Sequence, residues 1–124
     1  MAIKHGAALP PSGIPGIFHL TVASCDTGQS VSVWRQRIDA AHGTPPHRHL
    51  CDEVVTVQRG SADLLVGGTR HRLATGDTVV LPANADHQIL NAGTEPLELI
   101  AVFNESPVQT VAPDGTAMDL PWRS

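Results

Sequence analysis

Two histidines and a glutamate lie close together between residues 47 and 53 of this 124-residue chain. His47, His49 and Glu53 are separated by two and four residues, and in an extended chain side chains at that spacing point to the same face. Imidazoles grouped with a carboxylate are the donors that borderline divalent metals bind. His87 follows in a distant segment that also reads as a strand, and it supplies a possible fourth ligand. The spacing therefore predicts a metal site formed by these four side chains.

Length, charge and composition limit the class of protein. A chain of 124 residues suits one compact domain with one core. The formal net charge is −4 and the basic residues are scattered, so neither nucleic acid nor an anionic membrane is an expected partner. No apolar stretch is long enough for a transmembrane helix, and the N-terminus has no sustained hydrophobic run typical of a secretory signal. We therefore expect a cytoplasmic protein.

The two cysteines are expected to be free thiols in such a reducing compartment. Cys51 shares the parity of His47, His49 and Glu53, so it lies either near the metal or in the core as a small hydrophobic residue. Cys25 has no such neighbours in the sequence. The cysteines therefore predict no disulfide framework.

Short β-prone runs separated by turn residues cover most of the chain, and no window of useful length shows helical periodicity. Gly67 and Gly68 predict a two-residue hairpin, because glycine tolerates the positive φ that such turns need. Eight short strands at this spacing predict an all-β sandwich or barrel. The predicted strands cover residues 17–23, 31–38, 53–58, 62–66, 69–73, 78–81, 87–90 and 97–103.

The two ends of the chain differ from the predicted barrel, residues 17–106. Residues 1–16 are rich in proline and glycine and predict an N-terminal arm, and residues 107–124 predict an irregular C-terminal tail. Trp122 in this tail suggests that the tail docks on the barrel or on a partner subunit. Because the edge strands of a small barrel need covering, we expect a homodimer in which arm and tail are exchanged across a two-fold interface.

Two segments resemble the motifs of the cupin family. The first family motif reads Gly-x5-His-x-His-x3/4-Glu-x6-Gly, and the second reads Gly-x5-Pro-x-Gly-x2-His-x3-Asn. Ala41 and Asn84 replace a motif glycine, and asparagine readily accepts the left-handed backbone that glycine adopts. The positions that match in type and spacing are His47, His49, Glu53, Gly60, Gly76, Pro82, His87 and Asn91.

The resemblance implies a jelly-roll barrel, also called a double-stranded β-helix, with one mononuclear metal held by three imidazoles and Glu53. Iron, manganese, nickel, cobalt and zinc all suit this donor set, and about two coordination positions would remain for water, substrate or dioxygen. The resemblance further implies a metal-dependent enzyme acting on a small organic molecule. A dioxygenase is the first choice, with isomerase, decarboxylase and lyase as other possibilities. Glu53 is then a candidate catalytic base as well as a ligand.

Two other functional classes stay open: a non-catalytic module that binds a small molecule or a sugar, and a structural or storage role. Arg35 and Arg37 share one face of a predicted strand, and they either bind a substrate carboxylate inside the barrel or lie on the surface or at an interface. His42 lies either in a surface loop or near the mouth of the barrel, and His71 is expected to be solvated. Asn91 is expected in a structural turn. The predicted core or pocket wall includes Trp34, Ile38, Val55, Val57, Ile89 and Phe103.

Overall fold

The fold is almost entirely β-structure, with one short 3-10 turn at Cys25–Thr27, in a computed structural model that describes residues 1–122. All eight predicted strands are present, and their ends agree to within one residue. The strands are β1 Ile17–Ala23, β2 Ser32–Ile38, β3 Arg48–His49, β4 Glu53–Arg59, β5 Ala62–Val66, β6 Thr69–Leu73, β7 Thr78–Leu81, β8 His87–Asn91, β9 Leu97–Phe103 and β10 Thr110–Val111.

These strands form two antiparallel sheets that face each other across one core. The larger sheet has the order β1-β2-β9-β4-β7, and the smaller has the order β6-β5-β8. A separate pair, β10-β3, joins the tail after β9 to the segment between β2 and β4. Side chains alternate between the core and the outside; in β4, for example, Glu53, Val55 and Val57 are buried while Val54 faces out. This architecture confirms the predicted all-β jelly roll, and all six apolar residues predicted for the core are buried.

Local turn chemistry follows the sequence closely. Gly67 and Gly68 both have positive φ, 56° and 78°, as the predicted hairpin between β5 and β6 requires. Asn84 also has a positive φ, 67°, which confirms the expected left-handed backbone at this position. The side chain of Asn91 donates hydrogen bonds to the carbonyl oxygens of Ile38 and Glu95 at 2.9 and 2.8 Å, so its role is structural.

Gly43 is required for a different reason, which is space. A Cβ added there would lie 2.4 Å from Leu90 Cδ2 and 2.7 Å from the Ile89 carbonyl oxygen. The loop that leads to the histidine pair therefore runs directly against β8. Ala41, two residues earlier, has a φ of 64°, so alanine occupies a left-handed position where the family motif has glycine.

Both ends of the chain pack on their own barrel. The backbone N–H of His19 donates to the Pro10 carbonyl oxygen at 3.0 Å, which aligns the arm with β1. The tail first forms β10, which pairs with β3, and then turns back so that Met118 N–H donates to the Thr110 carbonyl oxygen at 2.9 Å. Exchange of these ends between subunits stays a prediction. Within residues 1–122, no helix is long and apolar enough to span a membrane.

Candidate metal centre and ligand pocket

The fold brings the four predicted site residues together inside one end of the barrel. His49 lies in β3, Glu53 opens β4, and His87 opens β8. Reciprocal backbone hydrogen bonds of 3.0 and 2.8 Å hold His47 against His87. One ring nitrogen from each of the three histidines lies within 4.8 Å of the others. The Oε1 atom of Glu53 is 3.1 Å from His87 Nε2 and 3.7 Å from His49 Nε2, and all four residues are buried.

Each histidine of the cluster is oriented through its Nδ1 atom. His47 Nδ1 donates to the Pro45 carbonyl oxygen at 2.7 Å, and His87 Nδ1 donates to the Ala85 carbonyl oxygen at 2.9 Å. Because a carbonyl oxygen only accepts, Nδ1 carries a proton in both rings, and in the neutral form of each ring Nε2 has a free lone pair. His49 Nδ1 hydrogen-bonds the Thr110 hydroxyl at 2.9 Å. This is the arrangement in which protein histidines bind metals.

Two buried polar atoms of the cluster have no hydrogen-bond partner, which suits a site for a metal ion. Glu53 Oε1 and His87 Nε2 are buried and have no partner with hydrogen-bond geometry, although they lie only 3.1 Å apart. Buried polar atoms in proteins nearly always have a partner, so each such exception needs an explanation. A divalent transition ion shared by these atoms and the two other imidazoles would satisfy both.

Burial and mutual charge set the protonation of the cluster. Burial, with help from the neighbouring imidazoles, lowers the pKa of His47 to about 4, and burial also lowers the pKa of His49. Burial alone would raise the pKa of the Glu53 carboxyl, but the surrounding imidazoles, His87 first, hold it below its usual value. Burial would lower the pKa of His87, but the adjacent Glu53 carboxylate raises it. The environment therefore favours an ionised Glu53.

A cavity of about 50 Å³ lies beside the cluster, which is room for roughly three or four water molecules. Its walls are mainly apolar, and the barrel contributes Trp34 and Ile89. The arm contributes Ile14, and the tail contributes Met118, Leu120 and Trp122, which alternate so that all three side chains line the cavity. The sequence predicted that Trp122 docks on the barrel or on a partner subunit, and the structure places it on the barrel. The irregular tail gave no basis for predicting that Met118 and Leu120 also line the cavity.

His19 is a functional neighbour that the sequence reasoning missed. It is 5% exposed on β1; its Nε2 is 2.7 Å from the Thr21 hydroxyl, and Gln36 Nε2 is 3.0 Å from its Nδ1. The Trp122 ring stacks on it with centroids 3.9 Å apart. Burial lowers the pKa of His19 to about 4, so the ring is neutral near pH 7. His19 therefore holds two side chains of the cavity wall, Gln36 and Trp122. The sequence did contain one indication: His19 is two residues after Ile17 on the same strand, so both side chains point into the barrel.

The other candidates lie outside the cluster. Arg37 is on the outer face of the large sheet, 3.9 Å above the Phe18 ring and 3.7 Å from Asp39, so it does not reach the interior. His42 is exposed and hydrogen-bonds the Ala40 carbonyl oxygen, and His71 is exposed, as expected. Cys51 belongs to the core, and burial together with Glu105 raises the pKa of its thiol to about 12. Neither cysteine forms a disulfide within residues 1–122, as the sequence predicted.

Comparison with known proteins agrees with this geometry. The profile of the cupin domain family (Cupin_2) matches residues 34–103, and the chain belongs to the cupin family. Auxin-binding protein 1 from Arabidopsis thaliana is 31% identical over 108 residues, which are 78% of this chain and 54% of that protein. The chain thus spans about half the length of that relative.

Two solved structures share the fold. The oxalate decarboxylase–formate complex from Lactobacillus farciminis superposes with a TM-score of 0.75 at 22% identity, covering 86% of this chain and 34% of that one. A variant salicylate 1,2-dioxygenase from Pseudoaminobacter salicylatoxidans, in complex with gentisate, has a TM-score of 0.68 at 18% identity, covering 77% and 27%. At these identities the likeness shows the jelly-roll fold alone.

Proposed function

We propose that this cupin binds a small apolar carboxylic acid through a divalent metal held by His47, His49, Glu53 and His87. The observation that carries the proposal is the pair of buried, unpartnered atoms, Glu53 Oε1 and His87 Nε2, in a cluster that adjoins an apolar cavity. A cation in the cluster would offer its open positions to a carboxylate oxygen, and the cavity walls would hold the apolar remainder of the ligand.

The names of the similar proteins support this ligand class. Auxins, which give the curated relative its name, are small aromatic carboxylic acids. Oxalate, formate, salicylate and gentisate, which appear in the names of the structural neighbours, also carry a carboxylate. The apolar wall of Trp34, Ile89, Leu120 and Trp122 favours an acid with an aromatic or aliphatic body over a sugar.

The cavity is too small to enclose an aromatic acid unless part of its wall moves. Pockets that enclose drug-sized ligands have volumes of roughly 300 Å³ or more, and this cavity has about 50 Å³. Among the described residues, the last backbone hydrogen bond in the tail is the one from Met118 to Thr110, so the segment from 119 to 122 is held by side-chain packing. Outward movement of this segment is therefore the way in which the pocket would admit an aromatic acid.

Calorimetric titration of zinc-loaded protein with phenylacetate tests the proposal, with phenylacetamide as the uncharged ligand of matched shape. We expect the acid to bind at least about tenfold more tightly than the amide, because only the acid brings a full negative charge to the metal. His49→Ala should abolish this preference. Equal affinity for the two ligands, or equal affinity of metal-free protein for the acid, would contradict the proposal.

An enzyme, with a dioxygenase as the first choice, is the second candidate. The observation in its favour is that the cluster adjoins a cavity, so a bound metal would have a side that substrate could reach. The lowered pKa of Glu53 suits a metal ligand better than a general base, whose pKa is best near the working pH.

Oxygen uptake by iron-loaded protein with salicylate or gentisate would support the enzyme, and Glu53→Gln would then separate two roles. Retained iron with a rate lower by roughly two to four decades indicates a base, whereas loss of iron indicates a ligand. If iron-loaded protein binds phenylacetate but consumes no oxygen with salicylate or gentisate, the result supports the binding function and contradicts the dioxygenase.

A further inference from the structure

Arg48 lies between two of the candidate metal ligands in the sequence, but its side chain is on the other side of the strand. His47 and His49 are buried and line the cavity, and successive side chains of an extended chain point in opposite directions, so Arg48 points away from the cavity. Its side chain is nevertheless only 23% exposed. A charged group that is mostly covered needs partners, and the partners of Arg48 indicate its role.

The guanidinium of Arg48 joins three segments of the chain. Its Nη1 lies 3.3 Å from Asp86 Oδ1, and it donates to the carbonyl oxygens of Ala112 at 3.3 Å and Pro113 at 3.1 Å. Asp86 directly precedes the candidate ligand His87, whereas Ala112 and Pro113 belong to the C-terminal tail. Arg48 therefore connects both histidine-bearing segments of the candidate metal centre to the tail.

The part of the tail that Arg48 contacts is a hairpin, residues 110–118, which we call the tail hairpin. It begins with β10, which pairs with β3, and its two ends are joined by the hydrogen bond from the Met118 N–H to the Thr110 carbonyl oxygen at 2.9 Å. The two carbonyl oxygens that accept from Arg48 are at the turn of this hairpin, where the chain reverses direction. The tail hairpin is thus attached at its base by β3 and at its turn by Arg48.

The position of the tail hairpin matters because it carries a side chain of the candidate metal centre. The Thr110 hydroxyl is 2.9 Å from His49 Nδ1, so any shift of the hairpin changes the orientation of that imidazole. Its pairing with β3 extends over only two residues, Thr110 and Val111. So short a ladder is a weak attachment by itself, and Arg48 supplies a second one.

We propose that Arg48 is a positioning residue of the metal centre: it holds the turn of the tail hairpin, keeps the Thr110 hydroxyl on His49, and so orients that imidazole for the ion. The inference rests on the proposed metal-binding function. An arginine suits this role because its planar guanidinium has five N–H donors and serves several acceptors at once. The same contact fixes the tail up to Met118, so only the segment from 119 to 122 is left to move when a ligand enters.

Zinc affinity, measured by competition titration in a double-mutant cycle of Arg48→Met and Thr110→Val, tests the proposal. Arg48→Met should weaken zinc binding by about three- to tenfold, less than the loss of a direct outer partner. Loss of a positive charge by itself would strengthen the binding of a cation, so the direction of the change separates positioning from electrostatics. Because Arg48 acts through Thr110, the double variant should bind zinc as Thr110→Val does. Arg59→Met, at the exposed far end of β4, is the control and should bind as wild type does.

Hydrogen exchange of the Met118 amide in metal-free protein gives a second measurement that does not depend on zinc. Exchange should be at least about tenfold faster in Arg48→Met than in Arg59→Met, because the tail hairpin opens more readily when its turn is released. Unchanged or tighter zinc binding by Arg48→Met, effects of Arg48→Met and Thr110→Val that add in full, or unchanged exchange at Met118 would overturn the proposal. Wild type that binds no zinc would contradict the proposed function itself, and this role of Arg48 with it.

Discussion

Two buried carboxylates in this barrel have opposite surroundings. Asp63 on β5 is 5% exposed, and each of its oxygens has its own partner: Arg70 Nη1 at 2.6 Å and Arg72 Nε at 2.7 Å. Glu53 is also 5% exposed, but its Oε1 has no partner with hydrogen-bond geometry, although it lies 3.1 Å from His87 Nε2 and 3.7 Å from His49 Nε2. Both oxygens of the first carboxylate thus have arginine partners, whereas the second carboxylate lies in the imidazole cluster for which we propose a metal ion.

The comparison shows which physical property identifies a site. The pKa of both carboxyls lies below its usual value, so a perturbed pKa alone does not distinguish them. The distinction lies in the kind of partner, because two arginines form ion pairs with Asp63, whereas the groups around Glu53 are three imidazoles, which are acceptors when neutral. A buried carboxylate among imidazoles is therefore a candidate metal ligand, and one between arginines is not.

The largest expected effect is a loss of metal affinity when one imidazole is removed from the candidate metal centre. His49→Ala should weaken binding of a divalent ion by more than about 100-fold, since loss of a direct ligand exceeds the effect of losing an outer partner. Elemental analysis after dialysis against a chelator, together with a competition titration, measures this. His42→Ala is the matched control, because His42 is exposed and outside the cluster. Equal metal content in wild type and His49→Ala would show that the cluster is not a metal site.

An intermediate effect follows from removing the partner of His49. Thr110→Val is nearly isosteric but leaves His49 Nδ1 without its 2.9 Å hydrogen bond. Metal affinity should fall by about 10- to 100-fold, which is the usual scale for such outer partners. Thr110→Ser, which retains the hydroxyl, should bind nearly as wild type does. If serine and valine have the same effect, the hydroxyl does not orient the ring, and the change reflects packing.

The smallest effect is expected on stability, when Asp63 between its two arginines is replaced. Because Arg72 and Arg70 hold the pKa of Asp63 below its usual value, the ionised form stabilises the fold above the unfolded-state pKa near 4, and this contribution is lost as the pH falls below it. Asp63→Asn should therefore lower stability at pH 7 by about 1 kcal/mol, since both arginines are more than half exposed, and should flatten the pH dependence below about pH 4.

Urea unfolding at pH 7 and pH 3 measures the effect of Asp63→Asn, and Asp119→Asn at an exposed position of the tail is the control. Metal affinity at neutral pH should not change in either variant. A larger loss of stability at pH 3 than at pH 7, relative to wild type, would reverse the sign of the linkage and exclude the ion pairs as its source.

The sequence predicted the parts of this structure that depend on local periodicity. The alternation of apolar residues located eight strands, and the same parity rule grouped His47, His49 and Glu53, although bends at Leu50 and Cys51 divide them between β3 and β4 and do not leave them on one strand face. The acceptors that orient the rings were not accessible in this way. Two of them are backbone carbonyl oxygens, of Pro45 and Ala85, and the third is Thr110, which reaches His49 only because β10 pairs with β3.

The tail and the first strand show the same limit. Two-residue strands such as β10 are too short to produce a periodic signal, so the pocket wall formed by Met118 and Leu120 could not be read from the sequence. His19 has the inward parity of a core residue, but its contact with Trp122 joins positions more than 100 residues apart. Long-range pairings of this kind depend on how the sheets close, which local patterns do not record.

Ala41 shows how a chain departs from its family pattern without losing the fold. An alanine at a φ of 64° costs roughly 1–2 kcal/mol relative to a right-handed backbone. Compared with glycine, alanine also restricts the unfolded chain, which returns about 0.4–1 kcal/mol. The net penalty is therefore roughly 0–1.6 kcal/mol, small against the total stability of about 5–15 kcal/mol that is typical of a domain. The fold therefore tolerates alanine at this position, whereas a β-branched residue with the same positive φ would be a backbone outlier.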